Sequence, residues 1–329
     1  MNQHGPKDDS LVSIISDISF KPVFIMGVQR SGTSILYKLL QKTGLFTVTT
    51  AYDIIYYDEL LYNQKKQRDQ QVKHELTERL QSGKKQSRGI DELQVTADFP
   101  EEYGFLLSRK TGIHYLNSTT QSLFSQLCRK ITYLSKNNNP ILLKNPFDFT
   151  HFLFIKKQFP TAKFVFIHRN PINTLSSQLK AMHILFTKQS RYMTLLSPWY
   201  KKAYTHPLSR FYYRFACSPS NPIRVNQLIH TLSMNTNLFL QDINKLEHKN
   251  DYISIRYEDL CHQPQNTMKN ILAFLNHDSS MGIDFSMYVK PRNLSPRKEI
   301  MKKKMKIKTE LKKYLSYNDY IINDMLSLK

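Results

Sequence analysis

Residues 21–34 read Lys-Pro-Val-Phe-Ile-Met-Gly-Val-Gln-Arg-Ser-Gly-Thr-Ser. The apolar run over 23–27 is short and unbroken, the pattern of a strand buried on both faces. A tight turn holding Gly27 and Gly32 follows it. Ile35, Leu36, Leu39 and Leu40 then recur at helical spacing. A strand that turns through glycine into a helix aims several backbone N–H groups, and the positive end of the helix, at one spot. Such a spot binds a phosphate or sulfate group.

Three more runs read as buried strands: Ile141–Lys144, Lys163–His168 and residues 252–257. Each ends in a polar loop followed by a helical pattern. Strands alternating with helices imply an α/β fold, a parallel sheet with helices on both faces. Its ligands bind beyond the carboxyl ends of the strands. Arg30, Lys144, Arg169 and Tyr257 all lie at or just past strand ends, so the order of the chain alone collects them on one sheet edge. Helical patterns cover residues 64–81, 119–135, 146–159, 222–246 and 264–275. Residues 182–222 are rich in aromatics and methionine and lack clear periodicity, which suits a lid or an acceptor-facing insertion. No repeat or linker interrupts the chain. The expected organisation is one domain over 1–329, with an N-terminal extension (1–19) and a basic C-terminal helical segment (290–329).

Composition narrows the class. The 329 residues are 40% hydrophobic, enough for a full core. No run of eighteen apolar residues occurs, so no transmembrane helix is expected, and the polar start is a poor secretory signal. Three distant cysteines (Cys128, Cys217, Cys261) suit reduced, buried thiols and a cytoplasmic location. The net charge is +21, and residues 290–313 contribute eleven Lys or Arg against Glu299 and Glu310. A field of that sign concentrates polyanions, anionic membranes or a phosphorylated cofactor; a solvated lysine-rich helix face explains the same residues. No nucleic-acid-binding motif accompanies it, so no specific nucleic-acid partner is expected.

Gly27 and Gly32 have the spacing of the P-loop of nucleotide kinases, but Thr33 stands where a kinase places its lysine, and the cation sits at Arg30. Strand, basic residue, Ser-Gly-Thr-Ser and helix resemble the 5′-phosphosulfate loop of sulfotransferases that use 3′-phosphoadenosine 5′-phosphosulfate (PAPS). A second block is similar: Phe164-Val165-Phe166-Ile167-His168-Arg169-Asn170-Pro171, followed by Ser176 and Ser177. In that family an arginine ending this strand and a serine eight residues later hold the donor's 3′-phosphate, and Arg169 and Ser177 keep the separation. Ile253 to Leu260, containing Tyr257-Glu258-Asp259-Leu260, resembles the strand near the adenine. Leu142-Leu143-Lys144-Asn145-Pro146 and Asp98-Phe99-Pro100-Glu101-Glu102-Tyr103 are looser matches. The ordered set spans residues 20–276 and is most similar to the bacterial branch of the family.

The resemblance implies a P-loop-like three-layer sandwich with helical additions. It also implies an enzyme that moves a sulfuryl group from PAPS to a hydroxyl or amine of a small molecule, lipid or glycan, with no metal required. PAPS and its product adenosine 3′,5′-bisphosphate (PAP) would be the nucleotide partners. Arg30 would stabilise the leaving oxygen, and a guanidinium there binds two oxygens in a fork. Ser31, Gly32, Thr33 and Ser34 would hold the 5′-phosphate, a role compatible with helix N-capping. Lys144 would be a second cation on the sulfuryl oxygens. Tyr257 would line the adenine pocket or serve as a core tyrosine. The family's Lys-Thr-His segment here reads Lys144-Asn145-Pro146, so its histidine base is missing. Glu102, then Glu101, then Asp53 are the candidate bases; both glutamates equally suit the first turn of a helix begun by Pro100. His151 is read as structural. The family's Arg-Lys-Gly donor cover is represented only by residues 292–298, without glycine, leaving Arg297 and Lys298 to reach the 3′-phosphate. Two rival readings stand beside this one: a P-loop kinase-like phosphotransferase and a non-catalytic basic polyanion-binding protein.

Overall fold

Successive side chains along a strand point to opposite faces of a sheet, and this chain divides its core accordingly. Phe24, Met26, Leu143, Phe164 and Phe166 are buried on one face. Val23, Ile25, Leu142, Val165 and Ile167 are buried on the other. The computed structural model describes residues 7–81, 94–277, 282–289 and 295–322. Its sheet has five parallel strands, β1 (Pro22–Met26), β2 (Thr47–Val48), β3 (Ile141–Lys144), β4 (Lys163–His168) and β5 (Tyr252–Arg256), in the order β2-β3-β1-β4-β5. Phe24 is in register with Leu143 on one side and Phe164 on the other. Because every strand runs the same way, the residues after Met26, Lys144, His168 and Arg256 emerge together.

Helices cover both faces. Thr33–Lys42 and Pro264–Phe274 pack Leu36, Leu39, Leu40, Met268, Ile271 and Leu272 on one side. Gln121–Ser135, Phe152–Gln158 and Pro222–Asp242 supply Phe124, Leu127, Phe152 and Phe239 to the other. Phe24, Phe164 and Phe166 form an aromatic row, extended by Phe239 at 5.1 Å from Phe166. The basic C-terminal segment resolves into short helices whose Ile300, Ile307, Leu311 and Tyr314 are buried while Lys302, Lys308, Lys312 and Lys313 face water. Near the other terminus, buried Asp8 accepts from the Leu61 and Tyr62 amides and pairs with buried Lys130 at 2.8 Å. Among the described residues no helix is long and apolar enough to cross a membrane.

Several expected elements differ. β2, two residues long, is a fifth strand beyond the four expected. The helix expected over 64–81 breaks into Leu60–Lys65 and Asp69–Gln81, because Gln67 between them adopts φ 54°. That expected over 146–159 becomes a 3₁₀ turn, Pro146–Asp148, and then Phe152–Gln158. Pro100 does not begin a helix: it bridges Thr50, and the helix starts at Gly104. The aromatic stretch 182–222 is helical rather than aperiodic. Pro171–Thr187 is followed by Arg191–Leu196, Pro198–Thr205 and Pro207–Ala216, capped in turn by Ser190, Ser197 and His206.

His168, at the end of β4, is buried with Nδ1 3.0 Å from the Tyr314 hydroxyl. Burial pushes its pKa down to about 3. The unfolded chain binds the proton near pH 6.5 and the folded chain does not. Its contribution to stability is therefore intact above about pH 6.5 and falls by about 1.4 kcal/mol per pH unit below that. Urea unfolding of wild type and His168→Gln at about pH 7 and pH 5 should show the stability gap between them narrowing by about 2 kcal/mol. A constant gap would contradict a neutral, buried imidazole.

Candidate active site

The loop between β1 and helix Thr33–Lys42 is shaped by close approach. A Cβ on Gly27 would lie 2.6 Å from the Ile167 carbonyl oxygen. Gly32, at φ 110°, would drive a Cβ to 2.3 Å from the Tyr257 ring. Arg30 itself holds φ 73°, which an L side chain seldom adopts. Three bonds from the neighbouring β4 unit fix this shape. Arg169 Nη1 donates to the Arg30 carbonyl at 3.1 Å. Arg30 Nε donates to Ser177 Oγ at 3.1 Å. Gln178 Nε2 donates to the Gln29 carbonyl at 2.9 Å. The guanidinium of Arg169 also lies 4.4 Å over the centre of the Tyr257 ring.

The expected donor-side residues thus converge from β1, β4 and β5. Arg30 and Ser177, expected at opposite ends of a donor, touch each other. Ser31 and Thr33 are buried. Tyr257 is buried as the first residue of helix Tyr257–His262, against Gly32 and Arg169. Two buried polar atoms here, Ser31 Oγ and Arg169 Nε, have no hydrogen-bond partner in the protein. Buried polar atoms are rarely left so, and an anion's oxygens would satisfy both; the residues present fit a phosphorylated ligand. The C-terminal segment reaches the same place, where the Arg297 amide donates to Ser176 Oγ at 3.2 Å and Arg297 Nε pairs with Glu299 at 3.4 Å. Residues 292–294 of the expected donor cover lie outside the described residues.

Lys144 is wholly buried at the end of β3. Its Nζ lies 2.9 Å from Glu102 Oε1 and 3.1 Å from Ser34 Oγ. One ammonium therefore joins the loop's helix to the Pro-Glu-Glu segment. The other two candidate bases are engaged in building the fold. Glu101 is fully buried, accepts the Tyr192 hydroxyl hydrogen, and accepts the Glu102 amide at 2.8 Å. Asp53 closes a capping box with Thr50, and burial pushes its pKa up to about 6. Asn145 donates 2.7 Å bonds to the His114 carbonyl and to buried Asp148, which also accepts from Tyr103. His151 stacks on Tyr115 at 4.3 Å. The residues that sequence reasoning missed are Gln178 and Asp148, the second of which joins Asn145 to Tyr103. Neither carries a motif, and their roles come from contacts between distant elements.

The sulfotransferase family model matches residues 22–280, in agreement with the resemblance drawn from the ordered blocks. Among solved structures, the chain is similar to sulfotransferase STF9 from Mycobacterium avium, with a TM-score of 0.67 and 11% identity. That match covers 96% of this chain and 81% of the other. It is also similar to sulfotransferase STF1 from Mycobacterium tuberculosis, with a TM-score of 0.53 and 14% identity over 85% of this chain and 78% of the other. At such identity the structural likeness speaks for the fold alone. No curated protein matches the sequence.

Gly32 makes a sharp test of the loop. Gly32→Ala should lower stability by about 1–3 kcal/mol, since it adds both left-handed strain and a clash. Tyr257→Ala in the same chain removes the clash but not the strain, so the double variant should recover part of the loss. Chemical denaturation of the two single variants and the double variant reads that coupling; strictly additive losses would mean that Gly32 and the ring do not meet.

Proposed function

We propose that PAPS is the sulfuryl donor of this chain, which belongs to the sulfotransferase family. The observation that carries this reading is the clamp between the β1 loop and the β4 helix, with buried Ser31 Oγ and Arg169 Nε left without partners beside it. When bound, the donor supplies a sulfuryl group whose S–O bond to phosphate breaks as a bond to the acceptor's oxygen or nitrogen forms, releasing PAP. The protein's work is positioning and charge stabilisation. Ser31, Gly32, Thr33 and Ser34 present hydroxyls and amides to the 5′-phosphate. Arg30 places its guanidinium where negative charge grows on the leaving oxygen. Arg169 and Ser177 hold the 3′-phosphate, which requires the Arg30–Ser177 bond to be exchanged for bonds to the donor. Tyr257 acts as a positioning residue by supporting Arg169. Lys144 holds sulfuryl oxygens, and Glu102, kept in place by Lys144, takes the acceptor's proton. We infer an acceptor with a hydroxyl or amine, and a reducing, cytoplasmic location consistent with three buried, unbridged cysteines.

Saturating PAP should raise the melting temperature by on the order of 5 °C. Arg30→Ala and Arg169→Ala should each cut that shift. A shift with Mg-ATP but none with PAP would favour the phosphotransferase reading, and an absence of sulfate transfer from labelled PAPS to any alcohol, phenol, amine or glycan would favour the polyanion binder.

Glu102→Gln separates chemistry from binding. It should lower turnover by roughly 10²–10⁴-fold and, by removing the counter-charge of Lys144, lower the melting temperature of the free protein, while PAP still raises that temperature. Full turnover in Glu102→Gln would remove Glu102 from the role of base.

A further inference from the structure

Helix Pro207–Ala216 buries none of its residues. Leu208, Phe211, Tyr212 and Phe215 recur at i, i+3, i+4 and i+7 and so share one face. Solvent reaches 76% of Leu208, 75% of Phe211, 62% of Tyr212 and 70% of Phe215. The helix is held to the protein by another face, through Tyr213, whose ring stacks on Phe186 at 5.0 Å and meets Trp199 edge-on at 5.3 Å. Trp199 is itself 54% exposed. Four large apolar side chains displayed together make a patch on the order of several hundred Å², a size that marks an interaction surface.

The charge around the stripe selects its partner. The sequence contains no Asp or Glu between Asp148 and Asp242, and residues 182–224 contain seven Lys or Arg. Arg214 lies at one edge of the apolar stripe, three residues from Phe211; Arg210 lies on the opposite side of the helix with its guanidinium 4.6 Å over the Tyr204 ring, and Lys201 and Lys202 lie on the preceding helix Pro198–Thr205; all four are exposed. A second copy of this chain, meeting the same patch across a two-fold axis, would set these cations against one another with no carboxylate on either helix to offset them. An anionic bilayer complements both features, taking the apolar stripe at the acyl boundary and the cations among the phosphates. An exposed tryptophan on the neighbouring helix suits the headgroup level. We propose that helix Pro207–Ala216 docks the protein on an anionic phospholipid surface. Docking of this kind is peripheral and is independent of which donor the site binds.

Co-sedimentation of the full chain with vesicles tests it, using phosphatidylcholine alone and phosphatidylcholine with about 30% phosphatidylserine. The expected result is capture by the anionic vesicles, weaker capture by neutral ones, and release as salt is raised. Phe211→Glu with Phe215→Glu should lower partitioning at least about tenfold with no change in thermal melting, since both side chains are exposed. Lys201→Glu with Arg214→Glu should remove the preference for phosphatidylserine. Three outcomes overturn the proposal. Wild type remains in the supernatant with both compositions. The phenylalanine double variant binds anionic vesicles as tightly as wild type. Or vesicles capture nothing while the chain forms a dimer that the same variant dissolves, which would assign the stripe to a second copy.

Discussion

The bond from Arg169 Nη1 to the Arg30 carbonyl is the constraint on which the site depends. Arg30 sits in a left-handed conformation that costs an L residue about 1–2 kcal/mol. Left to itself the loop would relax. It does not, because Arg169 holds the Arg30 carbonyl, Ser177 accepts from its guanidinium, and Gln178 holds the carbonyl of the preceding residue. All three come from β4 and the helix that follows it, and β4 is the direct neighbour of β1. β5 completes the arrangement from the far side of β4, bringing the Tyr257 ring under Gly32 and Arg169. The strand order is thus what makes the loop's shape affordable. A substitution that shifted β4 relative to β1 would act on the loop without touching it.

A second constraint sits on the other side of β1. Lys144 is buried completely, and taking an ammonium out of water costs several kcal/mol unless partners replace the water. Glu102 and Ser34 are those partners. The positions of three segments, β3, the Pro-Glu-Glu stretch and the loop's helix, are consequently coupled through one charge. Glu101 adds a fourth, because its carboxylate ties the same stretch to Tyr192 of helix Arg191–Leu196. Removing only one member of the Lys144–Glu102 pair leaves the other without its counter-charge, so a single substitution there costs more than the net energy of the intact pair.

What the sequence revealed and what it concealed divide along the range of the interactions. β1, β3 and β4 were legible because each is an unbroken apolar run bounded by polar turns, and β5 because its β-branched and aromatic residues stop at a charged stretch, Arg256 to Asp259, although that stretch opens a helix and not a loop. The loop was legible because glycine spacing and the following amphipathic helix are local signals. β2 was not, since two residues carry no period. The break at Gln67 was hidden because nothing in Lys66-Gln67-Arg68 forbids a helix. Residues 182–222 looked aperiodic because three short helices, each restarted at a Ser or His cap, reset the phase before a 3.6-residue period could accumulate. Among the site residues, Arg30, Lys144 and Arg169 announced themselves by standing at strand ends. The pairing of Lys144 with Glu102 had no local signature, and neither did the contact between Arg30 and Ser177, 147 residues away along the chain. What holds Glu101 in the fold, a tyrosine hydroxyl, also had no signature along the chain.

The run without carboxylates ties these observations together. Between Asp148 and Asp242 the chain builds β4, the Arg169–Ser177 unit and the aromatic helices using cations alone. Direct bonding accounts for Arg169, which touches the loop, but not for Lys201, Lys202 or Arg214, which are exposed. At physiological salt, charges more than about 8 Å apart are largely screened, so exposed cations contribute little to holding the fold. Their effect is on what approaches. Several positive groups on one surface with no compensating acid raise the local concentration of anions and the rate at which they arrive. A protein that needed these lysines for solubility alone would gain as much from mixed charge. The one-sided distribution is what a surface requires if its partners, whether a nucleotide at the strand edge or a lipid headgroup beside the aromatic stripe, are all negatively charged.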